Sequence, residues 1–215
     1  MKKIFPTSST PLLGLGMALF LLLGACTPSA PSPKGITPTA TVALAPYPEP
    51  PTATPTQGGL GGTMEVAVYF NNSNLNPGMM DCSRVFPVVR TVPAGPDVAT
   101  AALQQLFAGP TEAEAAEGYV SLFSAATKEI LIWVKVQGAT AYVNLKDIRP
   151  LIPAASSSCG GADFFAEVGN TVKAAAAVQR ALYAIEGDPA PFYEWTQIGC
   201  APENDNCDKA PFVTP

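Results

Sequence analysis

Apolar residues recur along the C-terminal part of the chain with the periods of a mixed α and β sequence. Alternate residues of Met64–Phe70 are apolar, and this period of two predicts a strand with one buried face. The apolar run Val85–Val92 predicts a second strand, which Pro87 restricts to a sheet edge. Ile130–Gln137 and Ala139–Leu145 are rich in strand-forming residues and are separated by one glycine, so they predict a β-hairpin.

Two helices are predicted between and after these strands. Asp97–Ala108 begins with a residue suited to capping a helix N-terminus, and Gly109-Pro110 ends it. Thr111 and Glu114 then have the spacing of a capping box, which predicts a short further helix. The main helix is predicted over Ala162–Ala177, where Phe165, Val168, Val172 and Ala176 recur at helical spacing.

The last regular element is predicted to be a strand, Val178–Glu186, which Gly187-Asp188-Pro189 ends as a turn. The predicted order is therefore strand, helix, strand, strand, helix, strand. This order favours an α+β domain built as a two-layer sandwich. We expect a mixed or antiparallel sheet of about four strands with the helices packed on one face.

The N-terminus carries the features of an export signal. Lys2 and Lys3 precede the apolar run Leu12–Leu23, which is shorter than the about 20 residues of a membrane-spanning helix. The run ends in Leu23-Gly24-Ala25-Cys26, which resembles the lipobox of bacterial lipoproteins. The resemblance implies that residues 1–25 are a signal peptide and that Cys26 carries a diacylglyceryl group. An ordinary secretory signal with an incidental cysteine is the alternative.

A tether is predicted between the lipid and the folded part. Residues 26–63 are rich in proline, threonine, serine, alanine and glycine, a composition that does not bury enough apolar surface to fold. We expect a semi-stiff spacer there. The folded domain is predicted over residues 64–200, and residues 201–215 are predicted to form a C-terminal tail with a disulfide loop.

Four cysteines remain beyond Cys26, and an even number in an exported chain indicates disulfides. Sequence alone allows three pairings of Cys82, Cys159, Cys200 and Cys207. We prefer a long bridge between Cys82 and Cys159, worth about 4–5 kcal/mol, and a short Cys200–Cys207 loop, worth about 2–3 kcal/mol. The spacings contain no CxxC pair, so a zinc site is the weaker alternative.

Composition narrows the function. The chain has no histidine, which excludes histidine-based catalytic triads and histidine-ligated metals, and we predict no cofactor. Its net charge of −5 and lack of a basic cluster argue against nucleic acid as a partner. The acidic loop Glu203–Asp208 lacks the glycine and terminal glutamate of an EF-hand, so we predict no metal site there.

Several segments together resemble the GerMN domain, also called the sporulation and spore germination domain. The resembling segments run over roughly Glu65–Gln197, and the most specific parts are Leu106-Phe107-Ala108-Gly109-Pro110-Thr111 with Glu114, then Gly138-Ala139-Thr140-Ala141-Tyr142-Val143-Asn144-Leu145. The resemblance implies a compact α+β domain without enzymatic activity, related to ring-building modules of envelope secretion machinery. One copy and a long tether distinguish this chain from the sporulation protein with two tandem copies.

Two functions are compatible with these features. The first is a non-catalytic binding or assembly module, held by lipid at the extracytoplasmic face of the membrane, with an envelope protein or a second copy as its partner. The second is a domain that binds or hydrolyses cell-wall polymer through the acidic and aromatic region Glu186–Trp195. Exposed carboxylates in a cleft favour the second; burial of Tyr193 and Trp195 favours the first.

Overall fold

The computed structural model describes residues 62–213. Six strands and four helices follow one another in this part of the chain: β1 Thr63–Asn72, β2 Phe86–Pro93, α1 Val98–Phe107, α2 Glu112–Ala116, β3 Tyr119–Val120, β4 Leu131–Gln137, β5 Thr140–Leu145, α3 Ser158–Ala176, β6 Arg180–Ile185 and α4 Pro189–Trp195. Single turns of 3-10 helix lie at Pro77–Met79, Pro153–Ser156, Pro202–Asn204 and Ala210–Phe212.

The strands form two sheets of three rather than the single sheet of about four that the sequence predicts. The first has the order β2-β1-β3 and is antiparallel; the second has the order β4-β5-β6. In the second, β4 and β5 form the predicted hairpin, whereas β6 runs parallel to β5 after the crossover through α3. The α+β class is confirmed. The structure has six strands rather than four because β2, an edge strand that the predicted order leaves out, pairs along β1, and because the two-residue β3 was not predicted.

Strand β2 lies at an edge, as Pro87 predicts. Val68 pairs with Val88 and Tyr69 pairs with Pro87 in the antiparallel register. The backbone N–H of Tyr69 points away from β2, because it donates to Thr171 on α3. At the position of Pro87 the backbone nitrogen points out of the sheet. Proline has no N–H to donate, and no hydrogen bond to β1 is lost there.

The core lies between the sheets and the two longer helices. Val68 and Phe70 on β1 meet Leu103 and Leu106 of α1, and all four side chains are fully buried. From α3 the buried contributors are Phe164, Val168 and Val172, which recur at intervals of four residues. Phe165 and Ala176, the other two positions of the predicted helical spacing, are partly buried and pack against the edge of this core.

Helix α3 begins earlier than the sequence predicts. The predicted start is Ala162, but Ser157 accepts a hydrogen bond from the Gly160 N–H and caps a helix that includes Cys159, Gly160 and Gly161. Glycine disfavours helices, which is why the sequence favours a loop at these residues. The cap and the packing of the first turn outweigh that preference.

The segment after β6 is also more ordered than the sequence predicts. Asp188 accepts a hydrogen bond from the Ala190 N–H and begins α4 with Pro189 in its first turn, where only a turn is predicted. Further on, Phe212 packs against Trp133 and Tyr142, at ring-centroid distances of 5.9 and 5.5 Å. The second sheet is thus covered by helices on one face and by the C-terminal segment on the other.

Within residues 62–213, no helix has the length and apolar character that crossing a membrane requires.

Candidate functional site

The first motif of the resemblance surrounds Arg90 on β2. The Arg90 guanidinium donates to both carboxylate oxygens of Glu114, at 3.0 and 2.5 Å. It also donates to the carbonyls of Gln105 and Gly109, at 2.6 and 2.8 Å, and lies over the Phe70 ring. The side chains of Arg90 and Glu114 are only 10% and 13% exposed. This arrangement joins β2 to the end of α1 and the start of α2.

Glu114 takes part both in the ion pair with Arg90 and in the N-terminal cap of α2. Its carboxylate accepts from the Thr111 N–H while the Thr111 hydroxyl accepts from the Glu114 N–H, which confirms the predicted capping box. Burial opposes ionisation of Glu114, but the hydrogen bonds from Arg90 and Thr111 outweigh it and lower its pKa. Glu114 is therefore an ionised structural anchor.

Gly109 is required where the motif turns. Its φ is +77°, a conformation that residues other than glycine adopt rarely. A Cβ atom added there would lie 2.5 Å from the Phe123 carbonyl oxygen. The glycine of the motif thus allows the backbone after α1 to pass against the segment that leads to β4.

The second motif also has a structural role. Asn144 on β5 is buried, and its side-chain oxygen accepts from the Gly187 N–H at 2.7 Å. This bond fixes the turn between β6 and α4. Ala141, Val143 and Leu145 of the same strand face the core and are fully buried.

The aromatic residues and Asp188 of the region Glu186–Trp195 have structural roles in the folded domain. Tyr193 is buried and its hydroxyl accepts from the Tyr183 N–H at 3.2 Å, while Trp195 packs against Phe192. Asp188 caps α4 and forms an ion pair with Lys209. Of the two aromatic side chains whose burial would favour a binding module, Tyr193 is buried and Trp195 is partly buried.

A pair of buried carboxyl groups was not anticipated from the sequence. Glu167 on α3 is fully buried; its oxygens accept from the Asn71 N–H at 3.4 Å and from the Ser121 hydroxyl at 2.7 Å. Asp163, one turn earlier, is 8% exposed. The Asn71 amide favours the ionised form of Asp163, yet Nδ2 of Asn71 and Oδ1 of Asp163 have no hydrogen-bond partner among the described residues.

Burial changes the protonation of this pair. It raises the pKa of Asp163 to about 6. Burial also raises the pKa of Glu167 well above its ordinary value, and the charge of Asp163 adds to the effect. Like charges at adjacent turns cannot both ionise cheaply in a desolvated site, so the pair favours holding a proton.

The position of Glu167 explains its burial. Thr171, one turn later, accepts from the Tyr69 N–H at 3.0 Å, and Glu167 accepts from the Asn71 N–H. Both donors lie on the edge of β1 that faces away from β2. Helix α3 therefore supplies side-chain acceptors to that strand edge at Tyr69, which β3 does not reach, and at Asn71, where the pairing with β3 begins.

The structure joins the cysteines as Cys82–Cys159 and Cys200–Cys207, the pairs that the sequence favours. The first bridge has a Cα–Cα distance of 5.3 Å and spans 77 residues. It ties the loop after β1 to the first turn of α3, beside Asp163. The second closes the short loop that precedes Phe212, with a Cα–Cα distance of 5.5 Å.

A groove runs along the outer side of α3, between this helix and the C-terminal segment. Phe165 and Ile198 line both of its halves, whose volumes are about 340 and 360 Å³. The half nearer the end of α3, called the basic half-groove below, is lined also by Gly169, Lys173, Arg180, Ala181, Leu182, Tyr183, Tyr193, Asn204 and Asn206. Sequence reasoning missed this groove, because its residues come from three distant segments.

Two further expectations from the sequence concern ligands and the anchor. Among residues 62–213 no group of three acidic or cysteine side chains is arranged to hold a metal ion. Asn206 in the acidic loop is instead buried, and it bonds the Ala201 N–H and the Gly199 carbonyl. Cys26 and nearly all of the predicted tether lie outside the described residues.

Comparison with known proteins agrees with the motifs. The fold is a small α+β module of two sheets. The polar residues of its family-like motifs, around Arg90–Glu114 and Asn144, hold the fold together. A family model described as sporulation and spore germination (Germane) matches residues 67–190, more than half of the chain. The chain belongs to this family, which confirms the GerMN resemblance. Searches of curated proteins and of solved structures found no match.

Proposed function

We propose that this protein is a lipid-anchored module of the extracytoplasmic membrane face that binds or assembles with an envelope protein and catalyses no reaction. The family supplies the coarse context of sporulation and spore germination. Diacylglyceryl modification of Cys26 would supply the attachment, since two acyl chains suffice for stable anchoring.

One observation carries the non-catalytic part of the proposal. The polar residues of the family-like motifs are engaged with each other or with the backbone: Arg90 with Glu114, Thr111 with Glu114, and Asn144 with Gly187. A catalytic group must instead be placed where a substrate can reach it. Glu167 is fully buried and already accepts two hydrogen bonds, so it does not offer an accessible acid or base.

The anchoring part is tested by phase partition of the full-length protein in a detergent that separates on warming. We expect the wild type in the detergent phase and Cys26→Ala in the aqueous phase. Thr27→Ala, next to the lipobox, is the matched control and should behave as the wild type. A wild-type protein found in the aqueous phase, without added lipid mass at Cys26, contradicts the anchor.

The assembly part is tested by crosslinking in intact cells and recovery of the protein from solubilised membranes. We expect one or a few envelope proteins, or the protein itself, in the crosslinked product. The purified protein should release no fragments from cell-wall polymer. Release of such fragments, lost on Glu186→Gln together with Glu194→Gln, would replace this proposal by the hydrolase alternative.

A further inference from the structure

The basic half-groove gathers positive charge in an acidic protein. Lys173 on the last turn of α3 and Arg180 at the start of β6 are exposed and line the same cavity of about 360 Å³. Neither side chain forms an ion pair within residues 62–213, whereas Arg90, Arg149 and Lys209 each do. The whole chain has a net charge of −5. Two cations left unpaired at one groove favour an acidic ligand.

The floor of the same groove contains a strand edge. Strand β6 pairs on one side with β5, and the Tyr183 N–H points to the other side, where it donates to Tyr193. Backbone groups alternate along a strand, so Ala181 directs its N–H and C=O to the same outer side. No hydrogen bond to the outer side of Ala181 is made by the described residues. An extended chain laid there would find a donor and an acceptor.

Apolar contacts complete the site. Ile198 is 53% exposed and Phe165 is half-buried, and together they form the boundary between the two halves of the groove. An extended peptide directs alternate side chains to opposite sides. One set can therefore reach Phe165 and Ile198 while the other set reaches Lys173 and Arg180.

We propose that the basic half-groove binds a short, extended, acidic segment of a protein partner, which adds to the outer edge of β6 at Ala181 and places its carboxylates on Lys173 and Arg180. Strand addition of this kind draws affinity from backbone hydrogen bonds and specificity from the side-chain contacts. The inference rests on the proposed function, since it identifies the segment that an assembly partner would present.

A peptide titration tests the inference with the full-length protein in detergent. The probe is a fluorescein-labelled peptide of sequence Glu-Val-Asp-Ile-Glu, followed by fluorescence anisotropy at low and physiological salt. We expect saturable binding that weakens at least tenfold in Lys173→Gln/Arg180→Gln and is unchanged in Lys128→Gln/Lys146→Gln, a control pair of exposed lysines elsewhere. N-methylation of the central Asp should weaken binding at least fivefold, because it removes a backbone donor.

The outcomes separate this inference from the proposed function. Wild-type affinity in the Lys173→Gln/Arg180→Gln variant, or equal binding of the N-methylated peptide, overturns the groove assignment. So does binding of a phosphate-containing wall polymer in place of the peptide. If membrane crosslinking still recovers a partner in these cases, the assembly function stands and only the groove fails. Because both basic residues are exposed, thermal unfolding should show the double variant to be folded, and the N-methylated peptide tests the wild type without any substitution.

Discussion

The buried carboxyl pair of α3 should make the stability of the folded protein depend on pH, and Glu167→Gln isolates that dependence. Glutamine keeps the shape of the side chain; its oxygen still accepts from the Asn71 N–H and its amide donates to the Ser121 hydroxyl. The variant therefore removes the ionisable group without leaving a cavity or an unpaired backbone donor. The bond to Ser121 is reversed, and the Ser121 hydroxyl proton loses its acceptor, at a cost that does not change with pH. The change of the variant difference with pH therefore reports the buried negative charge.

The sign follows from the direction of the pKa shifts. Both carboxyl groups have folded-state pKa values above those of the unfolded chain, so their contribution is fully present at low pH and is lost as pH rises. For Asp163 the pKa rises from 3.8 to about 6. At about 1.4 kcal/mol per unit, this amounts to an upper limit of about 3 kcal/mol, lost between about pH 4 and 7.

Urea unfolding of the oxidised protein between pH 4.5 and 8 measures the effect. Between pH 4.5 and pH 8, Glu167→Gln should gain about 1–3 kcal/mol of stability relative to the wild type. The informative quantity is the difference in unfolding free energy between variant and wild type. Glu114 and Asp147 have lowered pKa values, so their contribution to stability is lost as pH falls, in both proteins alike. Glu129→Gln, at an exposed side chain, is the control and should change stability by less than about 0.5 kcal/mol. A variant difference that stays constant across pH refutes the reasoning.

Two further predictions concern the family motif. Gly109→Ala should destabilise the protein by about 2–4 kcal/mol in urea unfolding, because φ is +77° and a Cβ atom would meet the Phe123 carbonyl. The control Gly95→Ala, with open space around it, should be neutral or slightly stabilising. Equal effects of the two substitutions would contradict the role of Gly109. Arg90→Lys should lower the free energy of unfolding by about 2–3 kcal/mol in the same measurement, because lysine cannot make the bidentate bond to Glu114 and also reach two carbonyls. The control Arg149→Lys, at an exposed ion pair, should lower it by less than about 1 kcal/mol. An equally small effect at Arg90 would show that its hydrogen bonds are dispensable for stability.

The parts of the fold that the sequence predicted well are those specified by neighbouring residues. The alternation in β1, the Asp97 cap of α1 and the Thr111–Glu114 capping box all depend on residues within a few positions of each other. The hairpin of β4 and β5 likewise needs only two strand-forming runs and a glycine between them. Such local signals determine the existence and type of an element, so these elements are found where they are predicted. The single buried face predicted for β1 is wrong, because Ala67 and Tyr69 on its other face are buried in a cluster with Ala166 of α3.

The errors arise where distant segments decide. Asp188-Pro189 suits a turn and the start of a helix equally, and only packing of Phe192 on the core selects α4. Polar residues at Asp163, Glu167 and Thr171 have the spacing of a solvent-facing helix stripe. Nothing near them in the sequence indicates that the uncovered edge of β1 would receive them. The buried pair and the α3 groove therefore required the three-dimensional structure.

The way α3 covers β1 also constrains how the chain reaches its folded state after export. The acceptors for Tyr69 and Asn71 lie 102 and 96 residues further along the chain. Because the proposed export carries the chain across the membrane from its N-terminus, β1 emerges before these acceptors do. During that time its backbone donors and apolar faces are open to other chains. A nascent or truncated chain that ends before α3 should therefore need a holding factor or aggregate, and the protein acquires its closed sheet edge only as a late, whole-chain event.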